Sequence, residues 1–158
     1  MTALRVISGG QTGVDRAALD AALEAGLDVG GSCPRSRLAE DGTIPSIYPL
    51  RETPGRDTAE RTRANVAEAD ATLILVPGPD PAAWGGGTRL TRRCARRLGK
   101  PLRVAVLGGH DAVAVAGVRD WLRASGAVTL NVAGPRESIA PGIYDRAHRF
   151  LVSLFGTP

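Results

Sequence analysis

Apolar positions along the chain change period several times. Leu4-Arg5-Val6-Ile7-Ser8 is a short β-branched run that stops at Gly9-Gly10, the pattern of a buried strand. From Val14 to Ala25 the period becomes helical. Val14, Ala17, Ala18, Ala21, Ala22 and Ala25 recur on one face, with Arg16, Asp20 and Glu24 on a polar face, which predicts an amphipathic helix. Thr12 followed by Asp15 predicts a capping box at its start, and Gly26 a stop at its end. Leu27 to Gly31 reads as a second strand. The stretch from Ser32 to Gly55 is irregular and rich in Pro and Gly. It is too long for a plain connection, so it is expected to be functional or to carry a short extra strand around Tyr48 to Arg51.

The alternation then resumes. Asp57 to Ala69 predicts a helix with Ala59, Thr62, Val66 and Ala69 on one face. Ala71-Thr72-Leu73-Ile74-Leu75-Val76 is the strongest strand, closed by Pro77-Gly78-Pro79-Asp80-Pro81, through which no helix or central strand continues. Gly85-Gly86-Gly87 precedes a helix predicted from about Thr88 to Leu98, with Leu90, Cys94 and Leu98 as its buried stripe and Arg89, Arg93 and Arg96 on another face. Leu102 to Leu107 is a fourth strand, broken by Gly108-Gly109. Asp111 is positioned to cap a helix reaching Ser125. Thr129 to Val132 is a fifth strand, and Pro141 suits the first turn of a last helix ending near Phe155. Five apolar strands alternating with helices predict an α/β fold, doubly wound, with a mainly parallel sheet and helices on both faces, as a single domain over 1–158.

Length and composition agree. A chain of 158 residues suits one domain and buries roughly 70% of its unfolded surface. Aromatics are only 4%, so Ala, Val, Leu and Ile must build the core. The net charge is +4, and Lys100 is the only lysine. Basic runs stay short and aromatics for base stacking are few, which argues against nucleic acid as a partner. Cys33 and Cys94 lie far apart and match no metal spacing. No apolar stretch is long enough to span a membrane, and Met1 to Ile7 leads straight into a strand rather than a signal peptide. The expectation is a cytoplasmic protein with reduced thiols.

Open α/β sheets bind ligands beyond the carboxyl ends of their strands, where strand order reverses. In a 2-1-3-4-5 order that crevice lies between the first strand and Ala71–Val76. The loops bordering it would be Gly9-Gly10-Gln11-Thr12-Gly13 and Gly85-Gly86-Gly87-Thr88. Each lies between a strand and a helix start, where free N–H groups and the helix dipole favour anions. Glycine permits close backbone approach to a phosphate. Neither loop matches the dinucleotide or the Walker pattern. The expected ligand is therefore phosphorylated and nucleotide-like.

Ser8-Gly9-Gly10-Gln11-Thr12-Gly13-Val14-Asp15-Arg16-Ala17-Ala18-Leu19-Asp20 resembles the opening signature of the family named for putative molybdenum carriers. Further matches are Cys33-Pro34-Arg35, Ala39-Glu40-Asp41-Gly42, Tyr48-Pro49-Leu50, Arg61-Thr62, Asn65-Val66, Gly86-Gly87-Thr88 and Leu130-Asn131-Val132-Ala133-Gly134-Pro135-Arg136-Glu137-Ser138. The resemblance covers nearly the whole chain. It implies a Rossmann-like fold and a carrier or storage protein for molybdenum cofactor (molybdopterin), a phosphorylated pterin dithiolene holding molybdenum. It also implies a dimer or tetramer of identical chains. The wider superfamily includes cytokinin-activating phosphoribohydrolases, whose Pro-Gly-Gly-x-Gly-Thr-x-x-Glu loop carries a Glu used in glycosidic cleavage. Here Thr91 stands at that Glu, which removes acid–base work at that position. The expectation is thus binding rather than catalysis, with no catalytic residue assigned. The alternatives are a nucleotide monophosphate phosphoribohydrolase using Asp15, Asp41 or Glu137, and a nucleotide-sensing module.

The expected ligand-binding residues are Gly9, Gly10, Gln11, Thr12, Gly13, Asp15, Arg16, Gly85, Gly86, Gly87, Thr88, Asn131, Gly134, Arg136, Glu137 and Ser138. Several have a plain structural reading beside the functional one. Asp15 reads equally as a ligand contact and as half of the capping box. Arg16 also suits a solvated helix face. Arg136 suits a bidentate phosphate contact, and the length of its motif favours that role. Cys33 reads as a small buried side chain before a thiolate ligand, and Cys94 as core. Glu40 and Asp41 read as solvated or capping carboxylates. Arg61 and Asn65 share a helix face, and their spacing does not separate ligand contact from exposure. His110 reads as a loop histidine and His148 as structural. The arginine stripe of the third helix reads as a solvated or subunit-facing surface.

Overall fold

A computed structural model of the chain describes residues 3–108 and 111–156. Gly109 and His110 lie outside the described residues. The elements run β1 (Arg5–Ile7), α1 (Val14–Glu24), β2 (Asp28–Gly30), β3 (Ser32–Cys33), β4 (Leu38–Ala39), β5 (Gly42–Thr43), β6 (Arg51–Glu52), α2 (Thr58–Glu68), β7 (Ala71–Val76), α3 (Gly86–Leu98), β8 (Leu102–Val106), α4 (Asp111–Ser125), β9 (Thr129–Ala133) and α5 (Ile143–Phe155). Five strands form one parallel sheet in the order β2-β1-β9-β7-β8. The expected parallel α/β architecture is present. The expected extra strand lies slightly later, at β6, which pairs in parallel with β3, while β4 and β5 make a small antiparallel hairpin.

The strand order differs from the expected 2-1-3-4-5. β9 sits between β1 and β7, with Val6 opposite Leu130 and Leu73 opposite Val132. The cause is pairing on both edges of β9. The Arg5 N–H donates to the Val128 carbonyl at 2.8 Å, and the Asp70 carboxylate accepts from the Val128 and Thr129 N–H groups at 3.0 and 2.9 Å. Leu130, Asn131 and Val132 are accordingly buried, whereas β8 is half-exposed and carries Arg103, as suits an edge strand. If the strands are counted from β9 onward, the order becomes 3-2-1-4-5, the doubly wound order. The last strand–helix unit thus occupies the place that a first unit holds in the usual connectivity. Ala3 and Gly156 line one surface groove, so the two ends of the described chain lie close together.

The two faces of β7 supply two cores, as a strand's alternation requires. Leu73 and Leu75 pack with α1, α4 and α5, around Phe150 and Leu151. Ile74 and Val76 pack with Trp84, flanked by Leu102 and Val104. Alanines at 17, 18, 21 and 22 give α1 a flat buried face, against which α5 packs closely.

Three local expectations fail. The capping box of α1 does not form. Its N-cap is Gly13, at φ +77° and without a side-chain cap. The Thr12 hydroxyl instead bonds Glu40 and accepts the Glu137 N–H. In α3 the buried residues are Thr88, Thr91 and Ala95, not Leu90, Cys94 and Leu98. Cys94 is only half-buried and Leu98 is 50% exposed. α3 meets α2 more extensively than it meets the strands, and the Thr91 hydroxyl is satisfied by donating to the Gly87 carbonyl at 3.0 Å. Pro141 likewise falls before the Gly142 cap of α5 rather than inside its first turn.

Candidate functional site

The shift of β9 moves the reversal of strand order to the β9/β7 boundary. A cleft opens there, enclosing about 70 Å³. Three segments build it. Gln11 and Asp15 come from the β1–α1 turn, Gly85 to Thr88 from the start of α3, and Ala133 to Arg136 from the end of β9. Arg61 and Thr62 of α2 complete the wall, with Trp84, Thr91 and Ile139.

The two glycine loops differ in what they offer. In the first, most N–H donors already have partners. Gly10 donates to Ser8 Oγ at 3.3 Å, Gln11 to Asp15 Oδ2 at 3.3 Å, Thr12 to Gln11 Oε1 at 3.1 Å and Val14 to the Pro135 carbonyl at 3.2 Å. Its glycines make room for protein. A Cβ on Gly13 would stand 2.3 Å from the Pro135 carbonyl, and one on Gly10 2.6 Å from Leu50. The second loop is open. Gly85 caps α3 without a side-chain bond, so the first-turn N–H groups lack the intrahelical acceptors that later turns have. A Cβ on Gly87 would meet nothing within 4 Å.

Asp15 and Arg61 form the most buried ion pair of the site, at 3.2 Å, with side chains 5% and 13% exposed. Burial pushes the Asp15 carboxyl above its ordinary range, and Arg61 only partly opposes this. Gly9 has no side chain where the pair lies, since a Cβ there would sit 2.0 Å from Arg61 Nη1.

Of the expected residues, Gln11, Asp15, Gly85, Gly86, Gly87, Thr88, Gly134 and Arg136 line the cleft. The others support it from behind. Arg16 reaches the Gly10 carbonyl and pairs with Asp41 at 2.8 Å. The Asn131 amide contacts Thr72 Oγ1 at 3.5 Å. Glu137 accepts the Gly142 and Tyr144 N–H groups at the start of α5. The Ser138 hydroxyl donates to Glu40. Asn65 holds both the N–H and carbonyl of Ser32, at 2.7 and 3.0 Å, so it is structural. Cys33 is fully buried, its thiol pushed up by burial. His148 meets Glu24 at 2.9 Å. Among the described residues no group of three His, Cys, Asp or Glu side chains gathers for a metal. Sequence reasoning left Arg61 undecided and passed over Thr62 and Trp84. The Arg61-Thr62 match was the available signal.

Glu40 and Asp41 hold the β4–β5 hairpin against this framework. Burial alone would raise the Glu40 carboxyl, but hydrogen bonds from Ser138 and Thr12 outweigh it and lower it. The Arg16 hydrogen bond lowers Asp41. Carboxyls displaced downward stabilise the fold above their unfolded values and lose that contribution as pH falls through the folded ones. Asp15, displaced upward, acts in the opposite sense. Glu40→Gln with Asp41→Asn is therefore expected to flatten the loss of stability that wild type shows below about pH 4. Denaturant midpoints from pH 3 to 7 check this, and parallel curves would refute it.

Comparison with known proteins adds the family. The model of the circularly permutated YpsA SLOG family matches residues 6–155. The crystal structure of a putative molybdenum carrier protein from Syntrophus aciditrophicus SB is similar at 37% identity and a TM-score of 0.91, over 99% of this chain and 96% of that chain. No curated protein matches. The permuted connectivity seen in the sheet, with β9 in the first-strand place, agrees with the family's description. The chain belongs to the circularly permutated YpsA SLOG family.

Proposed function

We propose that the protein binds a phosphorylated nucleotide-like ligand as a carrier or storage protein, with molybdenum cofactor as the candidate cargo. The observation that carries this is the uncapped start of α3, where Gly86 and Gly87 leave space in front of first-turn N–H groups. Arg136 adds a cation to the same cleft. The enclosed 70 Å³ is well below the roughly 300–1,000 Å³ of a whole small-molecule site. It suits the phosphate end, with the rest of the ligand outside.

The residues fit the anionic end of molybdenum cofactor. They offer no thiolate for the metal, because Cys33 is buried away from the cleft. The cofactor's own dithiolene supplies that sulfur. In this reading Gly85 to Thr88, Gly134 and Arg136 contact the ligand. Gly9, Gly10, Thr12, Gly13, Arg16, Asn131, Glu137 and Ser138 shape the loops around it. The test is native mass spectrometry of protein purified from a host that makes molybdenum cofactor, with molybdenum assayed on the same sample. A bound cofactor mass with metal in proportion supports the reading, and a nucleotide mass without molybdenum replaces the cargo. The same spectrum reads the expected homo-oligomer.

Gly87→Val is expected to weaken binding of inorganic phosphate about tenfold or more, the worth of lost charge-assisted bonds, with an unchanged melting temperature. Titration calorimetry checks it, and equal affinity would remove the site from α3. A second reading, a phosphoribohydrolase, draws on Asp15, a buried carboxyl in the cleft whose range is raised. Thr91 lines the cleft where the hydrolases' Glu would stand, which favours binding. Free base released from nucleoside monophosphates would reverse that order.

A further inference from the structure

We infer that Arg61 is a second phosphate-gripping group of the cleft, facing a ligand held at the start of α3, so that the site selects a phosphate monoester over its dephosphorylated parent. This rests on the reading of the cleft as an anion site. A guanidinium presents five N–H donors. Arg61 uses one of them within the described residues, Nη1 to Asp15 Oδ2 at 3.2 Å. The side chain is only 13% exposed, and its Nε is buried with no partner. A buried cationic donor left unmet is costly, and among the described residues Nε is in that state, while the side chain keeps a 13% exposed edge at the cleft it lines. Asp15 meets Arg61 through Oδ2 alone, which also accepts the Gln11 N–H at 3.3 Å.

The surroundings keep the guanidinium in place. Gly9 leaves the space that Arg61 Nη1 and Cζ occupy, and α2, begun by its Asp57 cap, carries Arg61 to the cleft wall. Gly85 to Thr88 and Arg136 line the same small volume. Because Asp15 neutralises Arg61, the pair attracts little charge at long range. What Arg61 offers is directed donors at short range, which suit a phosphoryl group with several acceptor oxygens. A neutral hydroxyl in that place offers one uncharged acceptor oxygen where a phosphoryl group offers several charged ones, and this difference is the source of selectivity.

The probes are inorganic phosphate, AMP and adenosine, titrated into the full chain by calorimetry. Arg61→Met leaves Asp15 buried and unpaired, which threatens folding, so Asp15→Asn with Arg61→Met is the companion variant. It removes both charges together. Both variants are expected to bind phosphate about 10- to 100-fold more weakly, and Arg61→Lys to recover only part. Wild type is expected to bind AMP at least about tenfold more tightly than adenosine, a preference the double variant loses. If the folded double variant binds phosphate like wild type while Gly87→Val does not, the role of Arg61 is overturned and the α3 site stands. If Gly87→Val is silent but the arginine variants are not, Arg61 stands and the α3 reading falls. Wild type that ignores phosphate and AMP overturns both.

Discussion

Gly134→Ala is expected to cost at least about 3 kcal/mol of stability, the upper range for overpacking. A Cβ there would stand 2.3 Å from the Leu75 carbonyl and 2.6 Å from Val14 Cγ2. The first neighbour is backbone of the central sheet, so it has no rotamer to change. In a chain of this length the melting temperature should fall by about 6–12 °C. Denaturant unfolding measures it. A wild-type midpoint would mean that Gly134 is free to move and that its place in the cleft reflects ligand rather than packing. The contrast with Gly87 is direct. Both line the cleft, but only Gly87 has empty space before it.

Phe150→Ala is expected to cost about 3–5 kcal/mol. Phe150 is 1% exposed and is among the largest fully buried side chains. It lies in the core shared by α1, α5 and the sheet. α1 offers mainly alanines to that core, so Phe150 supplies volume that α1 does not, and the hole cannot refill from that side. Because α5 follows β9, a weakened α5 also loosens the strand that joins the two halves of the sheet. Ile47→Ala is the control. Ile47 is 69% exposed, so its loss should stay within about 0.5 kcal/mol. Equal effects from the two changes would refute the packing assignment.

Much of the fold was legible locally. β7 runs from Ala71 to Val76 as its unbroken apolar run predicts. α1 begins at Val14 and stops before Gly26, which takes φ +73°. The glycines at 85–87 were legible as the approach to a helix expected from about Thr88, which begins two residues earlier, at Gly86. The buried face of α3 was misread because Leu90, Cys94 and Leu98 repeat every four residues. The packed structure buries Thr88, Thr91 and Ala95 instead, in a helix that meets α2 more than the strands. The first glycine loop was legible as a special turn, but not as one whose donors are used internally. Its acceptors include Pro135, more than a hundred residues away.

By itself the sequence determined the alternation of strand and helix, the parallel α/β class, the family, and the residue types that collect at the strand ends. Those properties depend on neighbours within one or two turns, where side-chain period and glycine or proline chemistry act directly. Only the tertiary structure decided that β9 enters between β1 and β7, that α3 rather than α1 presents the open helix start, and that Arg61 meets Asp15 beneath it. Each of these depends on which distant groups satisfy one another's hydrogen bonds and volume. Asp70 holding the start of β9, and Gly13 closing against Pro135, exist only once the chain has brought them together.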